Sequence, residues 1–283
     1  MKIITGIEEM RSESTRQRAA GRTVALVPTM GALHDGHRSL IRKARELADR
    51  VVVSVFVNPI QFGAGEDLAA YPADVHGDRD LCEAEGVAVF FQPSGAGMYQ
   101  AGHSTYVAEE DLSRGLCGKS RPGHFRGVTT VVAKLFNIVL PDLAVFGRKD
   151  AQQARVIERM VRDLNFPVRI VVAPTVREPD GLAMSSRNAY LSAGERRRAA
   201  CLHEALNAAK GLYARGVRET DALKGKMLEL LAGQPAAEVE YVEIVDYESL
   251  KPVSEIRAPA LIALCVRFGR ARLIDNTVLG TSD

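Results

Sequence analysis

Short apolar runs alternate along this chain with stretches whose apolar residues recur at helical spacing. Thr23–Val27, Val51–Val57, Val87–Phe91, Leu143–Phe146 and Val168–Val172 are brief, nearly continuous and rich in β-branched residues, as strands buried on both faces are. Residues 7–20, 74–86, 128–140 and 151–164 read as helices, as does the segment carrying Leu40, Ile41, Ala44, Leu47 and Ala48 on one stripe. Strand and helix in turn predict an α/β unit, a parallel sheet covered on both faces.

Beyond Pro174 the texture changes. Residues 176–190 read as a polar loop, and Ser192 with Glu195 three positions on forms a capping box that starts a helix. A helix near 220–232 follows, then strand-like runs at Val239–Val245, Ala260–Arg267 and Ala271–Ile274. The expected division is therefore a parallel-sheet domain over residues 1–175 and a smaller α+β domain over 176–283. The glycine-rich segment 93–104 reads as a mobile loop.

Composition narrows the class. Of 283 residues, 46% are hydrophobic and 25% charged, with a formal net charge of +2, which gives no reason to expect nucleic acid or a membrane as partner. No run approaches the roughly 20 apolar residues of a spanning helix. Acidic Glu8 and Glu9 interrupt the start before any signal-peptide core forms. Cys82, Cys117, Cys201 and Cys265 are scattered without a C-x-x-C pair, so reduced thiols in the cytoplasm are expected.

The candidate chemistry gathers where strands end. In open parallel sheets ligands bind beyond the carboxyl ends of the strands, and the polar clusters 28–37, 58–63 and 147–153 all follow strands. The first holds His34 and His37 around Gly36, at a strand-to-helix turn. A metal pair is one reading, but zinc needs further ligands and His76, His103, His124 and His203 show no partner spacing. A turn with two surface histidines is another. Glycine's tolerance of close approach and the free N–H groups of a helix start favour nucleotide phosphate, and no metal centre is assigned. Lys149 beside Asp150, and the Ser185-Ser186-Arg187 tripeptide, suit phosphate as well. Gln61 and Gln153 suit the hydroxyl and carboxylate of a small polar substrate, with Met30 and Phe62 as an apolar wall. Glu195-Arg196-Arg197-Arg198 reads as a solvated helix face.

P-T-M-G-A-L-H-D-G-H (28–37), V-N-P-I-Q-F-G (57–63), R-P-G-H-F-R-G-V (121–128), F-G-R-K-D-A-Q-Q (146–153) and M-S-S-R-N-A-Y-L-S (184–192) occur in this order. Together they resemble the pantoate–β-alanine ligase (pantothenate synthetase) family over essentially the whole chain. The histidine stretch also resembles the H-x-G-H signature of the wider nucleotidylyl-transferase superfamily. The resemblance implies a Rossmann-like domain with a smaller α+β cover, a homodimer, and the substrates Mg2+-ATP, pantoate and β-alanine. It implies that pantoate is activated as pantoyl adenylate and then captured by the amine of β-alanine. Carried onto this chain, Met30, Gly31, Ala32, Leu33, His34, Asp35, Gly36 and His37 would line the ATP site. Gly147, Arg148, Lys149, Asp150, Val176, Met184, Ser185, Ser186 and Arg187 would complete it. The catalytic set would be His37, as proton donor, with His34, Lys149 and Arg187 on the phosphates. Gln61 and Gln153 would hold pantoate, with Asn58 nearby. Two positions depart from the family pattern: Arg148, where glutamate is common, and Ala73, where a basic residue is common. The competing readings are a nucleotidylyltransferase that leaves the nucleotide on its product, and a nucleotide sensor without turnover.

Overall fold

The structure, a computed structural model, describes residues 1–280. Its larger sheet is built from β1 (Lys2–Ile4), β2 (Val24–Thr29), β3 (Arg50–Val55), β4 (Val89–Phe91), β5 (Leu143–Gly147) and β6 (Arg169–Ala173). The spatial order is β1-β4-β3-β2-β5-β6, and every pairing is parallel. Between the strands run α1 (Ile7–Ala19), α2 (Asp35–Leu47), α3 (Val75–Ala84), the single turns α4 (Gly95–Met98) and α5 (Leu116–Ser120), α6 (His124–Val139) and α7 (Ala151–Asp163).

Side-chain alternation along the strands sorts the core into two layers. Val24, Leu26, Val52 and Ala144 face Val132, Phe136 and Ile157 of α6 and α7. Ala25, Val27, Val53 and Val145 face Ile41 and Ala44 of α2. Helix α6 is apolar around most of its circumference and is buried accordingly.

The chain winds one way through β2, β3 and β4, then returns to place β5 on the other side of β2. This switch opens a crevice. The β2–β3 ladder runs on to Thr29↔Val55, and β5–β6 to Gly147↔Ala173, whereas β2–β5 pairing is confined to Ala25↔Leu143 and Leu26↔Ala144. Pro28 has no N–H to extend the ladder. Ligand crevices form at such switch points.

The carboxyl-terminal part comprises α8 (Ala193–Ala199), α9 (Cys201–Ala214), α10 (Thr220–Ala232) and an antiparallel meander of β7 (Ala237–Asp246), β8 (Ala260–Phe268) and β9 (Ala271–Leu279). Leu206, Leu223 and Met227 cover one face of the meander. The other face carries Leu261 and Ala263 against Phe125, Ala151 and Val156 of α6 and α7, so an apolar layer joins the two sheets.

The expected α/β sheet and smaller α+β part are both present, and the capping box of Ser192 and Glu195 forms at α8. Some details differ. Strand β1 is too short to show a period in the sequence. Helix α6 begins a turn earlier than its apolar run, because Gly123, at φ 82°, supplies the left-handed residue before it. Strand β9 continues past Ile274 through Asp275 and Asn276, polar residues that are buried and bonded. Segment 93–104 contains α4, capped by Ser94 and pinned by buried Met98, rather than an unstructured loop. Among the described residues no helix is long and apolar enough to cross a membrane, and the four cysteines are free and buried.

Candidate active site

The crevice encloses a cavity of about 210 Å³. Pro28, Thr29 and Met30 enter it from the end of β2, His34, Gly36 and His37 from the start of α2, and Gly147, Lys149, Asp150 and Gln153 from β5 and α7. Val176, Met184, Ser185, Ser186 and Arg187 face them from the loop after β6. Asn58 and Gln61 sit in the turn after β3, while Val128, Val131 and Leu135 of α6 form an apolar floor. Clusters separated by more than a hundred residues thus share one space.

The two histidines are locked by local bonds. His34 caps α2 by accepting the Gly36 N–H on Nδ1 at 3.1 Å, and His37 accepts the His34 N–H on its own Nδ1 at 3.3 Å. A backbone N–H can only donate, so each neutral ring carries its proton on Nε2. Burial, followed by the nearby Lys149 cation, outweighs the opposing pull of the Asp35 and Asp150 carboxylates and lowers His34 to about 4. Burial, His34 and Lys149 push His37 down to about 3. Both rings are therefore neutral Nε2–H donors at neutral pH. A neutral Nε2–H can offer a hydrogen bond to negative charge, which is a narrower role than the proton transfer expected of His37.

Not every residue of the histidine stretch reaches the cavity. Gly31, Ala32, Leu33 and Asp35 lie outside its lining. The N–H groups of Ala32 and Leu33 donate to Asp78 at 3.0 and 2.6 Å, which removes them as phosphate donors, and Asp35 pairs with Arg38 at the surface. Arg148 is exposed and also outside the lining, so the departure from the family pattern faces solvent. Lys149 lies 3.8 Å from the Asp150 carboxylate. Arg187 makes a two-pronged pair with Asp67, at 2.9 and 3.0 Å, beside the Tyr71 ring. Asp67 stands in no recognisable motif, and Tyr71 only neighbours the Ala73 departure, so the sequence marks neither as a site residue.

Gln61 is held from several directions. Its Oε1 accepts from Asn58 Nδ2 at 2.9 Å and its Nε2 lies 3.1 Å from Met30 Sδ. Asn58 lines the cavity beside Gln61, is buried, and also bonds Gly127 and Tyr99. His124 Nδ1 donates to the Gln61 carbonyl at 2.9 Å and Arg121 donates to His124 Nε2 at 2.9 Å. Burial and the Arg121 charge push His124 down to about 4, which keeps Nε2 free to accept. Among the described residues no group of three or more His, Cys, Asp or Glu side chains is arranged to hold a metal ion.

A switch-point cavity with two imidazole donors, a lysine and a serine–serine–arginine loop belongs to an enzyme that acts on a nucleotide. The family model for pantoate–β-alanine ligase matches residues 2–278, and the chain belongs to that family. It is an enzyme of the ligase class, as the motifs led one to expect. A pantothenate synthetase of Heliobacterium modesticaldum is 55% identical over 279 residues, covering 99% of each chain. The crystal structure of pantothenate synthetase from Thermus thermophilus superposes with a TM-score of 0.93 at 45% identity, covering 98% of this chain and 99% of that one. The ligase from Francisella tularensis, solved with β,γ ATP and β-alanine, gives 0.81 at 33% identity, covering 100% and 99%.

Proposed function

We propose that this chain condenses pantoate with β-alanine at the expense of ATP, through pantoyl adenylate. The observation that carries the reading is the convergence of His34, His37, Lys149, Ser185, Ser186 and Arg187 with Gln61 and Gln153 on one cavity. One group suits polyphosphate and the other a small hydroxy acid. In the first step a pantoate carboxylate oxygen attacks the α-phosphorus of ATP, forming the acyl phosphate bond as the bond to pyrophosphate breaks. In the second, the β-alanine amine attacks the acyl carbon, loses a proton and expels AMP.

The residues act on charge and position. The Nε2–H groups of His34 and His37 donate to the α-phosphate as negative charge builds there, and Lys149 and Arg187 receive the departing pyrophosphate. Preorganised donors of this kind are each worth roughly 3–4 kcal/mol. Gln61 and Gln153 orient pantoate. Asp150, the single carboxylate in the cavity lining, together with phosphate oxygens, matches how Mg2+ is usually held. When bound, Mg2+ neutralises charge on the phosphates. Residues 1–175 form the nucleotide and acid domain on this reading, and residues 176–283 bring the Met184–Arg187 loop over it and keep water from the adenylate. A homodimer and a cytoplasmic location complete the proposal, and the buried free cysteines fit a reducing compartment.

Product analysis with each substrate omitted in turn tests it. AMP and pyrophosphate accumulating in multiple turnovers only when pantoate and β-alanine are both present supports ligation. A stable nucleotidylated product points to a nucleotidylyltransferase, and ATP binding without pyrophosphate release points to a sensor.

A further inference from the structure

The R-P-G-H-F-R-G stretch at 121–127 contributes no residue to the cavity lining, yet three of its members meet the turn that carries Gln61. Gly127 packs so closely that a Cβ there would stand 2.5 Å from Gln61 Cα. Its carbonyl accepts from Asn58 Nδ2 at 3.1 Å. A carbonyl can only accept, so this contact decides which way round the Asn58 amide sits. Asn58 Oδ1 must then face Tyr99, whose hydroxyl donates to it at 2.8 Å. The same Nδ2 meets Gln61 Oε1, since a flipped Gln61 would set two NH2 groups against each other. The Gln61 NH2 group is left pointing away, past Met30 Sδ at 3.1 Å. From the main-chain side, His124 holds the Gln61 carbonyl, and Arg121 is braced by Glu66 at 2.7 and 2.6 Å.

We propose that Tyr99 and Gly127, acting through Asn58, and His124, acting through the Gln61 carbonyl, are positioning residues that present the NH2 end of Gln61 to the acid substrate. The site thereby selects an oxygen acceptor at that position over a donor. The chain of constraint starts at a backbone carbonyl and runs through the Asn58 amide to Gln61. None of the three touches substrate. The proposal rests on reading Gln61 as a contact to pantoate and adds the direction in which its amide must face.

The test is steady-state kinetics of the full chain with pantoate, and inhibition by the pantoate analogue whose 2-hydroxyl is replaced by an amine. Asn58→Asp puts an acceptor where Nδ2 stood, which turns the Gln61 amide round. The ratio of analogue affinity to pantoate affinity should rise at least about 10-fold while the KM for ATP stays within about twofold, an effect the size of one buried hydrogen bond. Tyr99→Phe, which removes one oxygen and serves if Asn58→Asp does not fold, should raise the pantoate KM about 10-fold with little change in kcat. His124→Asn, which keeps an N–H donor near the position of Nδ1, should recover most of the pantoate KM lost in His124→Ala. An unchanged analogue ratio in Asn58→Asp, or equal rises in the pantoate and ATP KM in Tyr99→Phe, overturns the positioning assignment. Wild-type protein that does not turn over pantoate overturns the underlying reading as well, so the two failures are told apart.

Discussion

The two sides of the cavity are built by opposite means. On the phosphate side, His34 and His37 are oriented by backbone groups no more than three residues away, inside one helix start. On the acid side, the Gln61 turn depends on Tyr99, His124 and Gly127, which lie tens of residues off on other elements. The two histidines are oriented as soon as α2 forms, because they need only the local turn, while Lys149 and Arg187 join them from other elements. The acid side exists only when α4, α6 and the turn after β3 have packed together. Phosphate chemistry is shared by many enzymes and tolerates a generic cradle, whereas recognition of one small acid demands convergence from distant parts of the fold.

Substitutions on the two sides should therefore fail differently. The largest effect is expected for His37→Ala, which removes a donor and one cap bond of α2: kcat/KM should fall by roughly 10²–10³ while stability falls by only about 1 kcal/mol. Wild-type turnover in this variant would remove His37 from the chemistry. Gly127→Ala should do the reverse. Its methyl group has no room against Gln61 and Ile60, so stability should drop by about 1–3 kcal/mol in urea unfolding and the pantoate KM should rise. A variant as stable as wild type would show that the turn has slack the geometry does not suggest.

Smaller effects are expected where the two sides meet. Asp67 holds Arg187 in a two-pronged pair, which on the proposed function a phosphate would displace. Asp67→Asn should lower the ATP dissociation constant a few-fold in calorimetry, the scale of a partly exposed ion pair. Weaker ATP binding would mean instead that Asp67 holds Arg187 in its working position. The smallest effect is on stability against pH. The folded-state values of His34 and His37 lie near 4 and 3, below the ordinary 6.5, so the unfolded chain binds protons that the folded chain refuses. Their contribution is complete above about pH 6.5 and is lost as pH falls toward 4 and 3. His37→Asn should melt with a shallower pH dependence between pH 6.5 and 4.5 than wild type, and an identical slope would contradict the buried neutral ring.

The same contrast explains what could be read from the residues alone. The strand ends, the histidine turn, Lys149 and the serine–serine–arginine loop announce themselves through local pattern, and the fold brings them together as expected. Periodicity also exposes the alternation of strand and helix. The consumption of the Ala32 and Leu33 N–H groups by Asp78 does not show, since nothing near residue 78 in the sequence signals a partner in the turn. Tyr99 stands in a segment that reads as a loose glycine-rich loop, and its bond to Asn58 depends on how that segment packs. The 121–128 motif stands out as a pattern, but its purpose lies in tertiary contacts. Arg148 is legible as a departure, and only its exposure shows that it leaves the cavity alone.

On the proposed function, the phosphate side and the acid side of this cavity together make an acyl adenylate before any amine is needed. Exchange of labelled pyrophosphate into ATP measures that step directly. Exchange that requires pantoate but proceeds without β-alanine, and that falls by roughly 10²–10³ in His37→Ala, is the predicted result. Exchange that needs no acid, or none until β-alanine is added, would contradict it.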